Sequence, residues 1–260
     1  MKVDNLTKDM RWHIADRLAE ERLEKVNKIV KAAHPKKSIY SKYVKRGFDI
    51  LFASIAIILT LPINLIMLII TFFDVGLPIF FYQERLGKDG KLFTLTKFRN
   101  MRNTKDKRGE LLPAEKRVTK FGKIVRKLSL DELLNFWSIL KGDMSLIGPR
   151  PLVPEYKHRL NKRHYKRMAV RPGLECPPRK KMNHMWTWQE QFENDIWYVE
   201  HVSFLTDCKM AINLVRFALD RKSAKARANV ERGIFCGYDY NGKAITYNDL
   251  VSEQLEQYTK

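Results

Sequence analysis

From Ile50 to Phe73 the chain is apolar almost without interruption and carries no charged side chain. A helix of that length matches the hydrocarbon thickness of a bilayer, so an ordinary transmembrane span is the first expectation. Two features argue against it. Pro62, after Leu61, sits in the middle, where its ring and missing N–H bend or break a helix. Basic residues also crowd both flanks: Lys36, Lys37, Lys42, Lys45 and Arg46 before the run, Arg85, Lys88, Lys91, Lys97 and Arg99 after it. The positive-inside rule then assigns both flanks to the cytoplasmic side. A straight span cannot meet that demand, whereas a re-entrant helix-break-helix, entering and leaving through one leaflet, can. Backbone groups freed at the break need partners, and Thr60 and Asn64 are polar side chains within reach.

The chain has 260 residues, enough for one good-sized domain or two small ones. Its formal net charge of +20 calls for an anionic partner, whether nucleic acid, a membrane surface or phosphorylated substrates, without choosing among them. Cys176, Cys208 and Cys236 are odd in number and widely spaced. That usage suits a reducing cytosol and suggests neither a disulfide framework nor a metal cluster. The charged first forty residues do not read as a signal peptide.

Before the apolar run, residues Asp9 to Ala33 read as a solvated helix, with Glu21–Lys25 and Glu24–Lys28 pairs and a partial stripe of Ile14, Leu18, Val26 and Val30. It is either a partner or membrane-surface helix, or a docking arm that covers the catalytic domain. After the run, two β-rich segments, Pro78–Leu86 and Lys91–Phe98, flank the turn Gly87–Gly90 and predict a hairpin. Lys97 and Arg99, two residues apart, are expected on one strand face. Asn103 to Glu115 reads as loop. A basic helix follows with Arg117, Lys120, Lys123, Arg126 and Lys127.

That helix delivers its charge to Ser129–Pro151. Ser129 with Glu132 has the spacing of a capping box, Leu130, Leu133, Leu134, Trp137 and Leu140 recur at helical spacing, and Gly142 marks the stop. Asp131 and Glu132 can be simple first-turn acids that ease the helix dipole. In the alternative, the N–H groups favour ionised Asp131, and an ionised carboxylate beside an oxyanion site can attack phosphorus.

Beyond Pro151 lies the basic span Lys157–Arg167, whose His158 and His164 are six apart and do not suit a metal pair. Thr187-Trp-Gln-Glu190 is a second capping box, opening a helix with Trp188, Phe192 and Ile196. Phe204, Leu205, Cys208, Ala211, Ile212, Val215, Ala218 and Leu219 form an amphipathic helix whose apolar face is either core or seated in the headgroup plane.

Taken together, Asp131-Glu132, Lys141-Gly-Asp-Met-Ser145 and Gly148-Pro-Arg-Pro151 resemble the core of the bacterial sugar transferases, the monotopic phosphoglycosyl transferases. Lys45-Arg-Gly-Phe-Asp49, Gln83-Glu-Arg-Leu-Gly87, Lys97-Phe-Arg-Asn-Met101 and Val170-Arg-Pro-Gly173 extend the resemblance from about Lys45 to about Leu219. It implies a mostly α fold with a small β-hairpin, anchored by a re-entrant helix broken at Leu61-Pro62 (where the family has Ser-Pro) and by interfacial amphipathic helices. The implied organisation is an N-terminal helical extension (1–44), the membrane helix (45–75), a catalytic domain (76–219) and a C-terminal extension (220–260).

The implied activity moves a sugar-1-phosphate from a UDP-sugar to polyprenyl (undecaprenyl) phosphate and releases UMP. It proceeds through a covalent aspartyl-phosphosugar at the cytoplasmic face of the bacterial inner membrane, and begins glycan assembly. The resemblance makes Asp131 the nucleophile, Glu132 catalytic and the leading Mg²⁺ ligand with Asp143 behind it, and Lys97 a phosphate contact. Arg126 (or Lys123), Arg150 between its prolines, and Arg171 before another are further phosphate contacts. Anionic membrane lipid and a second copy of the chain are the other expected partners, and nucleic acid is not expected. One stretch departs from the family: Leu174–Asn183 holds two prolines and three bases where a Thr-Gly-Trp-Ala-Gln-Val-Asn-Gly-Arg-like loop is usual, with Arg179 as a stand-in for the family's Arg. A membrane-tethered basic binding protein and an inactive family member are the competing readings.

Overall fold

The computed structural model describes residues 7–106, 109, 111–179, 184, 186–219 and 233–250. Lys180–Asn183 of the departing loop, and 220–232 and 251–260 of the C-terminal extension, lie outside the described residues. The fold is mostly helical with three two-stranded sheets among the described residues.

Helix α1 (Lys8–Ile29) starts at Thr7, whose side chain accepts the Met10 N–H. It is not a solvated arm. Ile14, Ala15, Leu18 and Val26 are buried, with Ile14 and Leu18 against Cys236, Ile245, Tyr247 and Leu250. Those partners surround a C-terminal hairpin of β5 (Phe235–Tyr238) and β6 (Ala244–Thr246). Each buried Ile, Leu or Val contributes roughly 1.5–3 kcal/mol relative to exposure, enough to hold a helix whose apolar stripe looks thin in sequence. The docking-arm alternative holds through Val26, which packs with Leu86 and Leu152, and Asp16, which pairs with Arg159, but much of the helix covers the C-terminal hairpin instead.

Helix α2 (Lys45–Val75) follows a π-helical turn at Tyr40–Val44. The helix runs through Pro62 without the interruption expected at Leu61-Pro62. Thr60 Oγ1 donates to Ala56 O at 2.7 Å, and Asn64 Nδ2 donates to Thr60 Oγ1 at 3.4 Å, so the polar pair supports the turn beside the proline. Only Asp49, Ala53, Met67 and Thr71 are buried on α2, leaving 54–66 without a buried residue. The two ends are both tied to the rest of the chain. Arg46 donates to Ile139 O and Leu140 O at 2.6 and 2.7 Å, and Asp49 Oδ1 accepts Ser145 Oγ and Leu146 N–H at 2.9 and 3.0 Å. At the other end Asp74 Oδ2 accepts Thr119 Oγ1 at 2.5 Å, and Arg99 donates to the carbonyls of Val75 and Gly76.

The predicted hairpin is present. Strands β1 (Phe80–Leu86) and β2 (Leu92–Phe98) pair antiparallel with Phe81 opposite Lys97. Lys97 and Arg99 do not share a surface, however. Arg99 lies one residue past β2 and its side chain turns to the C-terminal carbonyls of α2, where a cation meets the negative helix end.

Short α3 (Ala114–Arg117) precedes α4 (Lys120–Lys127), which Thr119 caps by accepting Gly122 N–H at 2.8 Å. The expected single helix from Ser129 is absent. Ser129 is left-handed (φ 55°), makes no side-chain cap, and leads into a 3-10 turn, Leu130–Glu132, with α5 (Asn135–Lys141) only afterwards. Gly142, at φ 102°, ends α5 as expected.

Next, β3 (Ser145–Ile147) and β4 (Gly173–Glu175) pair in parallel. A Cβ on Gly173 would fall 2.2 Å from Gly148 N, so only glycine permits this approach, which sets Pro149-Arg150 beside Leu174-Glu175. Helix α6 (Trp188–His201) has its complete Thr187–Glu190 capping box, and α7 (Phe204–Leu219) exposes Phe204, Leu205, Ile212 and Val215 while burying Met210. The basic span between β3 and α6 is largely neutralised internally. Arg159 and His158 meet Asp16 of α1, Arg163 and His164 meet Glu193, and buried Arg167 meets buried Asp195.

Candidate active site

The 3-10 turn after α4 exposes little of its acids: Asp131 is 9% accessible. Glu132 leaves its expected capping role because stronger partners are in reach. Its Oε1 accepts Lys97 Nζ at 2.7 Å and Arg150 Nη2 at 2.5 Å. Two bonds to full cations outweigh the single bond a capping carboxylate makes to a backbone N–H. Burial works to raise the Glu132 pKa, but the charges of Arg150 and Lys97 prevail and bring it to about 2. In return the carboxylate holds Arg150 protonated more firmly than usual.

Asp131 behaves in the opposite sense. Burial pushes its carboxyl above the ordinary 3.8, with Glu132 adding to the rise, while Lys97, its own backbone N–H and Arg126 draw it back. The first-turn N–H groups therefore do not dominate, contrary to the expectation from sequence, because one 3-10 turn aligns few dipoles and Asp131 is buried. Asn100 Nδ2 donates to Asp131 Oδ2 at 3.2 Å, and Arg126 Nε donates to Asn100 Oδ1 at 3.0 Å.

Arg150 comes from the rigid Pro149-Arg-Pro151 turn and is fixed on three sides. Beyond Glu132, its Nη1 donates to Leu174 O at 3.1 Å and lies 3.5 Å from Glu175 Oε2. Its backbone O accepts Arg167 Nη2 at 2.8 Å. Arg85 approaches from β1, donating to Pro151 O at 3.2 Å and Gln83 Oε1 at 2.6 Å.

Lys97, Arg126, Asp131, Glu132 and Arg150 are thus brought together from β2, α4, the 3-10 turn and the proline-bounded turn. Arg171 is not among them: its Nε donates to Gly142 O at 2.8 Å, at the far end of α5. Leu61 and Pro62 lie on the exposed middle of α2. Arg179 stacks on the Trp197 ring at 4.7 Å rather than at the acids. Sequence reasoning assigned no role to Asn100, Arg85, Glu175 or the Arg167–Asp195 pair. Asn100 and Arg85 lie inside stretches noted for their pattern, but an amide or a guanidinium names no partner until folding supplies one.

No group of three or more His, Cys, Asp or Glu gathers as a metal site among the described residues. Asp131 and Glu132 still offer adjacent carboxylates on one turn, with one Glu132 oxygen committed to cations. Such a donor set suits Mg²⁺ in its shared mode, with one or two carboxylates and the remaining positions filled by phosphate oxygens and water.

A profile described as bacterial sugar transferase matches residues 40–221. An uncharacterized sugar transferase, EpsL, of Bacillus subtilis (strain 168) is 38% identical over 194 residues, covering 75% of this chain and 96% of that protein. The UDP-N-acetylgalactosamine-undecaprenyl-phosphate N-acetylgalactosaminephosphotransferase of Aeromonas hydrophila is 34% identical over 68% of this chain and 44% of its own length. The UDP-galactose-lipid carrier transferase of Erwinia amylovora is 31% identical over 71% and 42%. The chain therefore spans less than half of the latter two.

Proposed function

This chain belongs to the bacterial sugar transferase family and is a phosphoglycosyl transferase, and we propose that it passes a sugar-1-phosphate from a UDP-sugar to undecaprenyl phosphate through a covalent intermediate on Asp131. The observation that carries this reading is the buried Asp131 flanked by the Lys97–Glu132–Arg150 cluster. An acid poised beside cations that another acid pre-orients is a nucleophile next to an anion site.

In the first step an Asp131 oxygen attacks the phosphorus bearing the sugar. The P–O bond to the UMP phosphate breaks, UMP leaves with the electron pair, and an aspartyl-phosphosugar forms. In the second step a phosphate oxygen of the lipid attacks that phosphorus, the acyl–phosphate bond breaks, and the carboxylate is regenerated with the lipid diphosphosugar as product. Lys97 and Arg150 share their charge between Glu132 and the incoming diphosphate. Arg126 faces Asp131 across Asn100. Glu132 would hold Mg²⁺ together with oxygens of the substrate, and the ion would supply charge that offsets the diphosphate.

The same reading places the chain on the cytoplasmic face of the bacterial inner membrane, with both ends of the unbroken α2 on that side and its exposed middle seated in one leaflet. Asp49 and Asp74, ~37 Å apart along a straight helix, are both bonded to the same folded body, whereas a crossing helix has its ends across a core of about 30 Å. The unburied middle of α2 and the exposed apolar face of α7 support an anchor in one leaflet. Basic flanks suit anionic lipid there.

The test is UMP release from a panel of UDP-sugars with undecaprenyl phosphate in detergent and Mg²⁺. Release with one sugar, lost on adding EDTA and lost in Asp131→Asn, is expected. Folded, membrane-bound protein that releases UMP from none of them would contradict the assignment.

A further inference from the structure

Asn100 has both ends of its amide committed. Its Oδ1 accepts Arg126 Nε at 3.0 Å, and its Nδ2 donates to Asp131 Oδ2 at 3.2 Å. The first bond decides the second: a guanidinium can only donate, so the amide oxygen must face Arg126 and the NH₂ group must face the carboxylate. The backbone of Asn100 is clamped as well. A Cβ on Gly122 of α4 would fall 2.2 Å from Asn100 O, so α4 rests directly on this peptide. The N-terminus of α4 is itself held by Thr119, which caps Gly122 and donates to Asp74 at the end of α2.

We infer that Asn100 is a positioning residue that fixes the rotation of the Asp131 carboxylate, anchoring Oδ2 so that Oδ1 is the oxygen that attacks phosphorus. Arg126 has a second task in this arrangement: it orients the amide. The inference rests on Asp131 as nucleophile and adds which of its oxygens reacts and what holds it. Alignment within a near-attack geometry is worth about 10²-fold per ångström of misplacement. The expected cost of losing Asn100 is therefore about 10- to 100-fold in kcat.

The experiment compares Asn100→Ala, Asn100→Asp and Asp131→Asn in the full chain, with kcat and KM for the UDP-sugar and thermal midpoints in the same detergent. Asn100→Ala frees the carboxylate. Asn100→Asp keeps an acceptor for Arg126 but replaces the donor with a like charge facing Asp131, so its kcat falls below that of Asn100→Ala. Both are expected to keep KM within about twofold, because positioning acts on the reacting atom and not on uniform binding.

A raised KM with unchanged kcat would overturn the inference and make Asn100 a substrate contact. Wild-type kinetics in both Asn100 variants, with Asp131→Asn inactive, would overturn it while leaving the nucleophile in place. Full turnover in Asp131→Asn would instead remove the nucleophile on which it stands. If Asn100→Ala lowers the thermal midpoint, the kcat order of Asn100→Asp and Asn100→Ala at a temperature where both are folded still decides.

Discussion

Replacing Asp195 with alanine separates what stabilises this fold from what positions Arg150. Asp195 on α6 and Arg167 are 1% and 2% exposed, with Oδ2 accepting Arg167 Nη2 at 2.6 Å and Nε at 3.0 Å. Removing the carboxylate strands a guanidinium in the interior, at a cost of about 3–5 kcal/mol. For a chain of this size that lowers Tm by roughly 6–20 °C. Removing both charges, as Arg167→Met with Asp195→Leu, abolishes the stranded charge, and stability returns to within about 2 kcal/mol of wild type.

Activity does not return with it. Arg167 also donates to Arg150 O at 2.8 Å, and the methionine cannot hold that turn. The double variant is therefore expected to turn over on the order of 10- to 100-fold more slowly while folded. Thermal unfolding and UMP release, measured in one detergent, report both quantities. A double variant as unstable as Asp195→Ala would refute the buried-charge reasoning. Full activity in the stable double variant would refute the positioning of Arg150.

Three other outcomes are expected. Thr187→Ala removes half of the α6 capping box and costs about 1 kcal/mol in thermal unfolding, with UMP release unchanged. Gly173→Ala forces a Cβ to 2.2 Å from Gly148 N, costs about 1–3 kcal/mol by overpacking and displaces Arg150, so stability and turnover fall together. Acid unfolding carries the signature of Glu132, whose carboxyl drops from 4.5 to about 2 on folding. Because the folded value is depressed, its contribution of roughly 3 kcal/mol is complete above the unfolded value and is lost as pH falls through the folded one. Glu132→Gln should flatten the pH dependence of stability in that window, and an unchanged slope would count against the ion cluster.

The hairpin, α4, the Thr187 cap and the Gly142 stop were legible in sequence because each rests on local chemistry. The acids at 131 and 132 and the arginine at 150 were legible through their pattern. The partners of those residues were not. Ser129 looks like a cap, but α4 is followed by a left-handed residue there, and Glu132 finds two cations brought from β2 and from the proline-bounded turn after β3. Asp131 was expected ionised on local grounds, and burial by the whole fold reverses the sign of its shift. Arg171 shares the Arg-Pro pattern of Arg150, yet the close approach of Gly148 and Gly173 leaves its side chain at the C-terminal end of α5. Helix α1 looked polar because its covering partners, β5 and β6, lie more than two hundred residues away in the chain.

The most direct test of the central claim is the mass of the intact protein after exposure to its UDP-sugar and Mg²⁺ without lipid acceptor. The account predicts one added sugar-phosphate, located on the peptide containing Asp131, discharged by undecaprenyl phosphate and absent in Asp131→Asn. UMP release with no adduct at any time, or an adduct that persists in Asp131→Asn, would contradict it.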